Sequence, residues 1–428
     1  MDFPTFAGAT FTYTYEILDP HPPVPKLLRI TTVPISLHLL LTGQFRFMRE
    51  HGFDVFTVSA PGKEVAEVEK EGVPHIAIPF TRKITPWQDL RCLYQLCQFI
   101  RRERPDIIHT HTPKAGLIGM LAARLCNVPV RMHTVAGLPL MEATGLKKRI
   151  LEFTEVITYA CATHVYPNSA GLKRYIEKNF GIGSPKLKVI GKGSSNGIDT
   201  GYFSISENLL KESQSIRQQH ALNANDVVFC FIGRVVRDKG IVELVQAFQT
   251  VRRNRMASAQ HLEASGTKLL IVGPFEQDLD PLPREVLQFI KDDPDVVLAG
   301  FQRDVRPWLM AADVFVFPSY REGFPNVVMQ ASLLKVPSIV SDINGCNEII
   351  TARETGLIVP PKNEVALAAA MEQLATDKVM RQNFARRASA YVAENFDRNV
   401  VWESLLDEYR RAVSVPPQRQ PIADIGAK

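Results

Sequence analysis

Pro318 to Gln330 reads PSYREGFPNVVMQ, and what stands on either side of it decides the architecture. Upstream, Asp313 to Phe317 (DVFVF) is short, β-branched and aromatic and is stopped by Pro318, which marks a strand. Downstream, Pro325 suits the first turn of a helix in which Val327, Val328, Ala331 and Leu334 recur at helical spacing. Gly323 lets a ligand approach the backbone, and the amides of Gly323, Phe324 and Asn326 at the helix start attract an anion. Glu322 adds one carboxylate beside that turn. A diphosphate fits this arrangement.

The same strand, loop and helix order occurs about 80 residues earlier. Val227 to Ile232 (VVFCFI) reads as a strand, and it runs through Gly233 to Gly240 (GRVVRDKG) into a helix from Ile241 to Arg253. Gly233 permits close backbone approach, while Arg234 and Lys239 supply a bidentate donor and a point charge suited to a diphosphate. Further strands are expected at Lys268–Pro274, Val296–Phe301 and Pro337–Ser341. Helices follow near Glu364–Thr376, Lys378–Asn395 and Arg398–Ala412.

The first half alternates in the same way. Strands are expected at Leu27–Val33, Phe53–Ser59, His75–Pro79 and Asp106–His109, and helices at Leu37–Glu50, Lys63–Glu71, Trp87–Glu103, Ala115–Leu125 and Gly145–His164. Such alternation predicts α/β architecture with doubly wound parallel sheets and ligands at the carboxyl ends of the strands. Three segments lie at such ends: Val33–Ser36, His109–Lys114 (HTHTPK) and His133–Leu138 (HTVAGL). His109 and His111 share a strand face, but no third metal ligand is evident. Lys114, at a helix start, meets a phosphate or is simply solvated.

Two motifs together carry a resemblance. The acidic residue, seven residues, acidic residue pattern beginning at Glu322, with the Gly-Arg, four residues, Lys-Gly loop at 233–240, resembles the family 4 glycosyltransferases. The wording SYREGFPNVV is most similar to bacterial members that assemble capsule, O-antigen or other lipid-linked glycans. The resemblance implies the GT-B fold, two Rossmann-like domains facing a cleft, and a retaining, metal-independent transfer with no cofactor. It assigns Arg234, Lys239 and Glu322 to catalysis and Gly233, Gly323, Phe324, Pro325, Asn326, Phe301 and His133 to the donor. Ser36, His111 and Lys114 are the acceptor-side candidates. One departure stands out. The second acidic position, which holds the donor ribose, is Gln330; an amide still pairs with a hydroxyl, so altered or weakened ribose binding is expected.

Length and composition bound the rest. The chain has 428 residues, which calls for two domains. The glycine-bearing stretch SSNGIDTGYF (Ser194–Phe203) resembles the family's interdomain linker, giving a first domain over 26–200, a second over 201–397 and a last helix, 398–413, that crosses back. Residues 1–25 and 414–428 read as disordered tails. Six scattered cysteines with no CxxC pair read as reduced thiols. No run of 18 apolar residues suggests a spanning helix. Of the net charge of +5, residues 26–203 alone carry +10, against −3 before them and −2 after. No nucleic-acid motif accompanies that charge, so an anionic membrane surface or a phosphate-bearing acceptor is the expected partner. The clusters Arg101, Arg102, Arg104 and Lys147, Lys148, Arg149 are its candidate contacts, with the protein peripheral on the cytoplasmic side of the membrane. The expected reaction moves a sugar, for instance an N-acetylhexosamine, from a nucleotide donor such as a UDP-sugar to a polyprenyl-diphosphate-linked glycan. The rival readings are a UDP-sugar 2-epimerase of the same fold and a catalytically silent homologue that binds nucleotide sugar.

Overall fold

A computed structural model describes residues 24–414 apart from 142, 184, 259–265 and 277–279. Of the expected disordered tails, residues 1–23 and 415–428 fall outside the described residues, and Ser414 ends a helix. The chain builds two six-stranded, wholly parallel sheets. The first contains β1 (Lys26–Ile30), β2 (Asp54–Ser59), β3 (His75–Ala77), β4 (Ile107–Thr110), β5 (Val130–Val135) and β6 (His164–Pro167) in the order β3-β2-β1-β4-β5-β6. The second contains β7 (Val227–Ile232), β8 (Thr267–Val272), β9 (Val296–Gly300), β10 (Val314–Phe317), β11 (Ser338–Ser341) and β12 (Gly356–Val359) in the order β12-β11-β10-β7-β8-β9. Counted from its own first strand, each sheet has the same order. Each therefore reverses direction between its first and fourth strands, and there the carboxyl ends open a crevice.

Every residue of β7, β10 and β11 is buried, as expected of strands covered by helices on both faces. The short strands β6 and β12, at sheet edges, and the helices Ala170–Phe180 and Glu207–Gln219 were not anticipated. The single helix expected over Leu37–Glu50 is two, Pro34–Leu41 and Gln44–Glu50. It breaks at Gly43, whose φ of +84° is left-handed, and a Cβ there would lie 2.5 Å from the ring of Trp402. The expected helix Gly145–His164 ends at Cys161, because Ala162 turns extended to enter β6.

Trp402 belongs to the last helix, Arg398–Ser414, which packs on the first domain. Its Leu405, Leu406, Tyr409 and Ala412 share a core with Leu27, Phe45, Phe53 and Ile107. The chain thus crosses between domains twice, and the crossings run side by side. Ile198 N donates to Phe396 O at 2.8 Å, and Arg398 N donates to Ile198 O at 3.0 Å. Asn196 pins this junction: its Oδ1 accepts from Trp402 Nε1 at 2.6 Å and from Gln44 Nε2 at 3.0 Å.

Candidate active site

Two loops from the crevice of the second sheet interlock. Gly240 ends the GRVVRDKG loop with φ +71°, and a Cβ there would lie 2.1 Å from Pro318 O, so only a glycine lets the loops touch. Tyr320 N donates to Asp238 O at 2.9 Å, and Arg321 Nη2 donates to Asp238 Oδ2, also at 2.9 Å. Across this junction Lys239 is ion-paired with Glu322, and Ser319 Oγ donates to the same Glu322 oxygen at 3.0 Å. The pair is largely sheltered, with 13% and 18% of the two side chains exposed. Arg234 lies further out and pairs with Glu276 at 3.1 Å. Gly273, with φ +143°, backs onto Gly233, whose carbonyl a Cβ would meet at 1.8 Å.

The 322–326 turn is pressed against the first domain. A Cβ on Gly323 would fall 1.7 Å from Ala136 O, and one on Gly137 would lie 3.7 Å from Gly323 N. Asn168, at the end of β6, donates through Nδ2 to Ala136 O at 3.3 Å and supports that contact. Phe324 is buried against Phe396, with ring centroids 5.1 Å apart. Pro325 caps the helix Asn326–Leu333 from just outside it. Among the described residues, the amides of Gly323, Phe324 and Asn326 donate to no backbone carbonyl, which leaves unpaired backbone donors in the turn that follows Glu322. Gln330 is half-buried one turn along that helix, and its side chain bonds no described residue. Phe301 is 73% exposed at the end of β9.

The first-domain candidates lie in two environments. His109 and His111 are buried in a network with Arg29, itself fully buried. Arg29 Nε donates to His111 Nε2 at 3.1 Å, and Arg29 Nη2 donates to Gln44 Oε1 at 2.5 Å. His109 bonds Tyr409 Oη at 2.6 Å and Thr134 Oγ1 at 2.7 Å. Burial, with Arg29 beside His109 and with His109 and Arg29 beside His111, holds both rings well below the ordinary imidazole range and keeps them neutral at pH 7. His111 also lines a cavity of about 20 Å³ with Asn168, Ser194 and Ser195, room for one water. His133 lies on the opposite face of the sheet. Its Nδ1 is 2.7 Å from Thr110 Oγ1, its ring sits against Gly116, and burial lowers it to about 4. The structure places this ring in the helix layer rather than in the cleft.

Ser36 is half-buried in the first turn of the helix Pro34–Leu41. Lys114 is neither solvated nor free. Asp89 holds its ammonium at 2.8 and 2.9 Å, with Thr81 and Thr85 each at 3.3 Å. Among the described residues no group of three or more His, Cys, Asp or Glu side chains is arranged to hold a metal ion. Asn168, Asp238, Glu276 and Glu348 are the neighbours that sequence reasoning missed. Only Asp238 had a signal, since it lies inside the GRVVRDKG loop.

Comparison with known proteins agrees with this architecture. The family model "Glycosyl transferases group 1" matches residues 226–377, and "Glycosyl transferase 4-like domain" matches residues 42–193. The capsular polysaccharide biosynthesis glycosyltransferase CapM of Staphylococcus aureus is 34% identical, over 90% of this chain and 96% of that one. A UDP-Gal:α-D-GlcNAc-diphosphoundecaprenol α-1,3-galactosyltransferase of Escherichia coli is 26% identical, over 82% of this chain and 89% of that one. Among solved structures, Anabaena HepE in complex with UDP and glucose superposes with a TM-score of 0.73 at 20% identity, over 90% of this chain and 100% of that one.

Proposed function

The chain belongs to the family 4 glycosyltransferases of the GT-B fold, and from that membership we propose that it transfers a sugar from a UDP-sugar to a polyprenyl-diphosphate-linked glycan in surface polysaccharide assembly. The observation that carries the reading is the Lys239–Glu322 pair, seated beside a turn of free amides where the two domains meet. As the bond from sugar to diphosphate breaks, negative charge grows on the leaving diphosphate and positive charge on the sugar. Lys239, Arg234 and the amides of Gly323, Phe324 and Asn326 stabilise the former with no metal required. Glu322 exchanges its lysine partner for sugar hydroxyls when donor enters. Phe301 offers an exposed ring to the nucleotide base, and Gln330 reaches the ribose. Transfer retains configuration, with attack on the face the diphosphate leaves and the diphosphate taking the acceptor proton. CapM and the galactosyltransferase support the class of acceptor by what their names say they act in or on.

The first domain supplies the means of reaching such an acceptor. On helix Pro86–Glu103, Trp87, Leu90 and Tyr94 are exposed; on helix Gly145–Cys161, Leu146, Ile150 and Phe153 are exposed at helical spacing. Both helices pack on Pro113–Leu125, and Lys147, Lys148 and Arg149 border the second stripe. Apolar side chains ringed by cations suit an anionic bilayer surface.

The test is release of nucleoside diphosphate from UDP- and GDP-sugars, with and without polyprenyl-diphosphate-linked acceptor, in EDTA. Acceptor-dependent release is expected, and Lys239→Ala should lower kcat by about a hundredfold to a thousandfold, the cost of one such donor. Release that needs added metal, or epimerised donor without acceptor, would overturn the proposal.

A further inference from the structure

The helix Ala170–Phe180 of the first domain is capped by Ser169, whose hydroxyl accepts from Leu172 N at 3.1 Å. Its next two amides turn toward the other domain. Ala170 N and Gly171 N donate at 2.7 and 2.9 Å to the two carboxylate oxygens of Glu348. A carboxylate on two amides at a helix start gains from both charge-assisted bonds and the helix dipole. Glu348 follows Gly345, where a Cβ would come within 2.5 Å of Gly323 O, so the segment that grips the first domain also supports the donor turn. A second observation marks the same seam. A Cβ on Gly171 would lie 2.1 Å from Asn344 Oδ1, so the bare helix start is what admits the second domain.

We propose that Glu348 is a positioning residue: it clips the second domain to the start of helix Ala170–Phe180 and so holds the Gly323 turn closed on Ala136 over bound donor. It acts through that turn and touches neither substrate. The kinetic part rests on the glycosyltransferase reading; the conformational part does not.

Three variants separate the possibilities. Glu348→Gln removes the charge, Gly171→Leu wedges the seam while favouring the helix, and Ser169→Ala weakens the helix but leaves the clip. X-ray scattering of the free proteins, UDP affinity by calorimetry, donor KM and kcat, and melting temperature are the readouts. Glu348→Gln and Gly171→Leu should both enlarge the radius of gyration. Both should also raise the UDP Kd and donor KM roughly tenfold, because the closed state becomes a smaller fraction, while kcat at saturating donor changes little. Ser169→Ala should lower the melting temperature without moving radius or KM. Unchanged radius in both seam variants, or the same KM change in all three, overturns the proposal. If the wild type binds no UDP, the donor reading fails and the scattering still decides the clip.

Discussion

Glu155 is the buried acid whose charge the fold leaves uncompensated. It lies on the inner side of helix Gly145–Cys161, its Oε2 has no partner among the described residues, and burial pushes it up to about 7 despite the nearby Tyr159 hydroxyl. The native state therefore keeps its proton to higher pH than the unfolded chain does. Its contribution is fully present below the ordinary glutamate range and is lost as pH rises through about 7. Glu155→Gln should flatten that loss and raise stability at pH 8.5 by on the order of 3 kcal/mol, read from urea unfolding at pH 5.5 and 8.5. At this scale the two loops that bring Lys239 and Glu322 together were legible. Glu322, Arg234 and Lys239 sit in loops whose glycines and flanking elements advertise them. His133 and Lys114 were not. A strand buried on both faces does not reveal which of them looks into a cleft, and Lys114 found Asp89 at a separation of 25 residues that no local pattern reports.

The elements that sequence patterns found best were long or fully apolar. β7 and the helix Glu364–Thr376 fall where expected, because burial on both sides or a repeating apolar stripe leaves one reading. β6 and β12 each have four residues and lie at a sheet edge, too short to show a period. The break at Gly43 depends on a tryptophan from the end of the chain. The proposed lipid contact also belongs to this scale. Leu146 is 74% and Phe153 65% exposed, a stripe that a purely solvated helix has no reason to display. Replacing both by Glu should abolish sedimentation with phosphatidylglycerol vesicles while leaving UDP affinity unchanged, whereas 0.5 M salt should weaken the wild type only partly, since the apolar share of binding survives screening. Equal binding of the variant would remove this face from consideration.

For the whole molecule, the fold class and the pairing of two like domains followed from the alternation and the two motifs. The seam between the domains did not, because Ala136, Asn168, Gly171 and Glu348 meet only through tertiary contact. The return of the last helix has a measurable weight. Ending the chain at Asp397 removes Leu405, Leu406 and Tyr409 from the first-domain core, at a cost on the order of 5 kcal/mol or more, comparable to a whole domain's stability. That truncation should be insoluble or lack a cooperative melt by circular dichroism, against a cooperative melt for the full chain.

The same return helix sets a timetable for synthesis. His109 receives its partner Tyr409 only 300 residues later, and Tyr166 waits 242 residues for Glu408. At about 5–20 residues per second, the first domain, whose own residues end near 200, stands with an open apolar flank for roughly 10–40 s. The second domain can fold as it emerges; the first is finished by the helix Arg398–Ser414, and holdase chaperones have that interval in which to bind it.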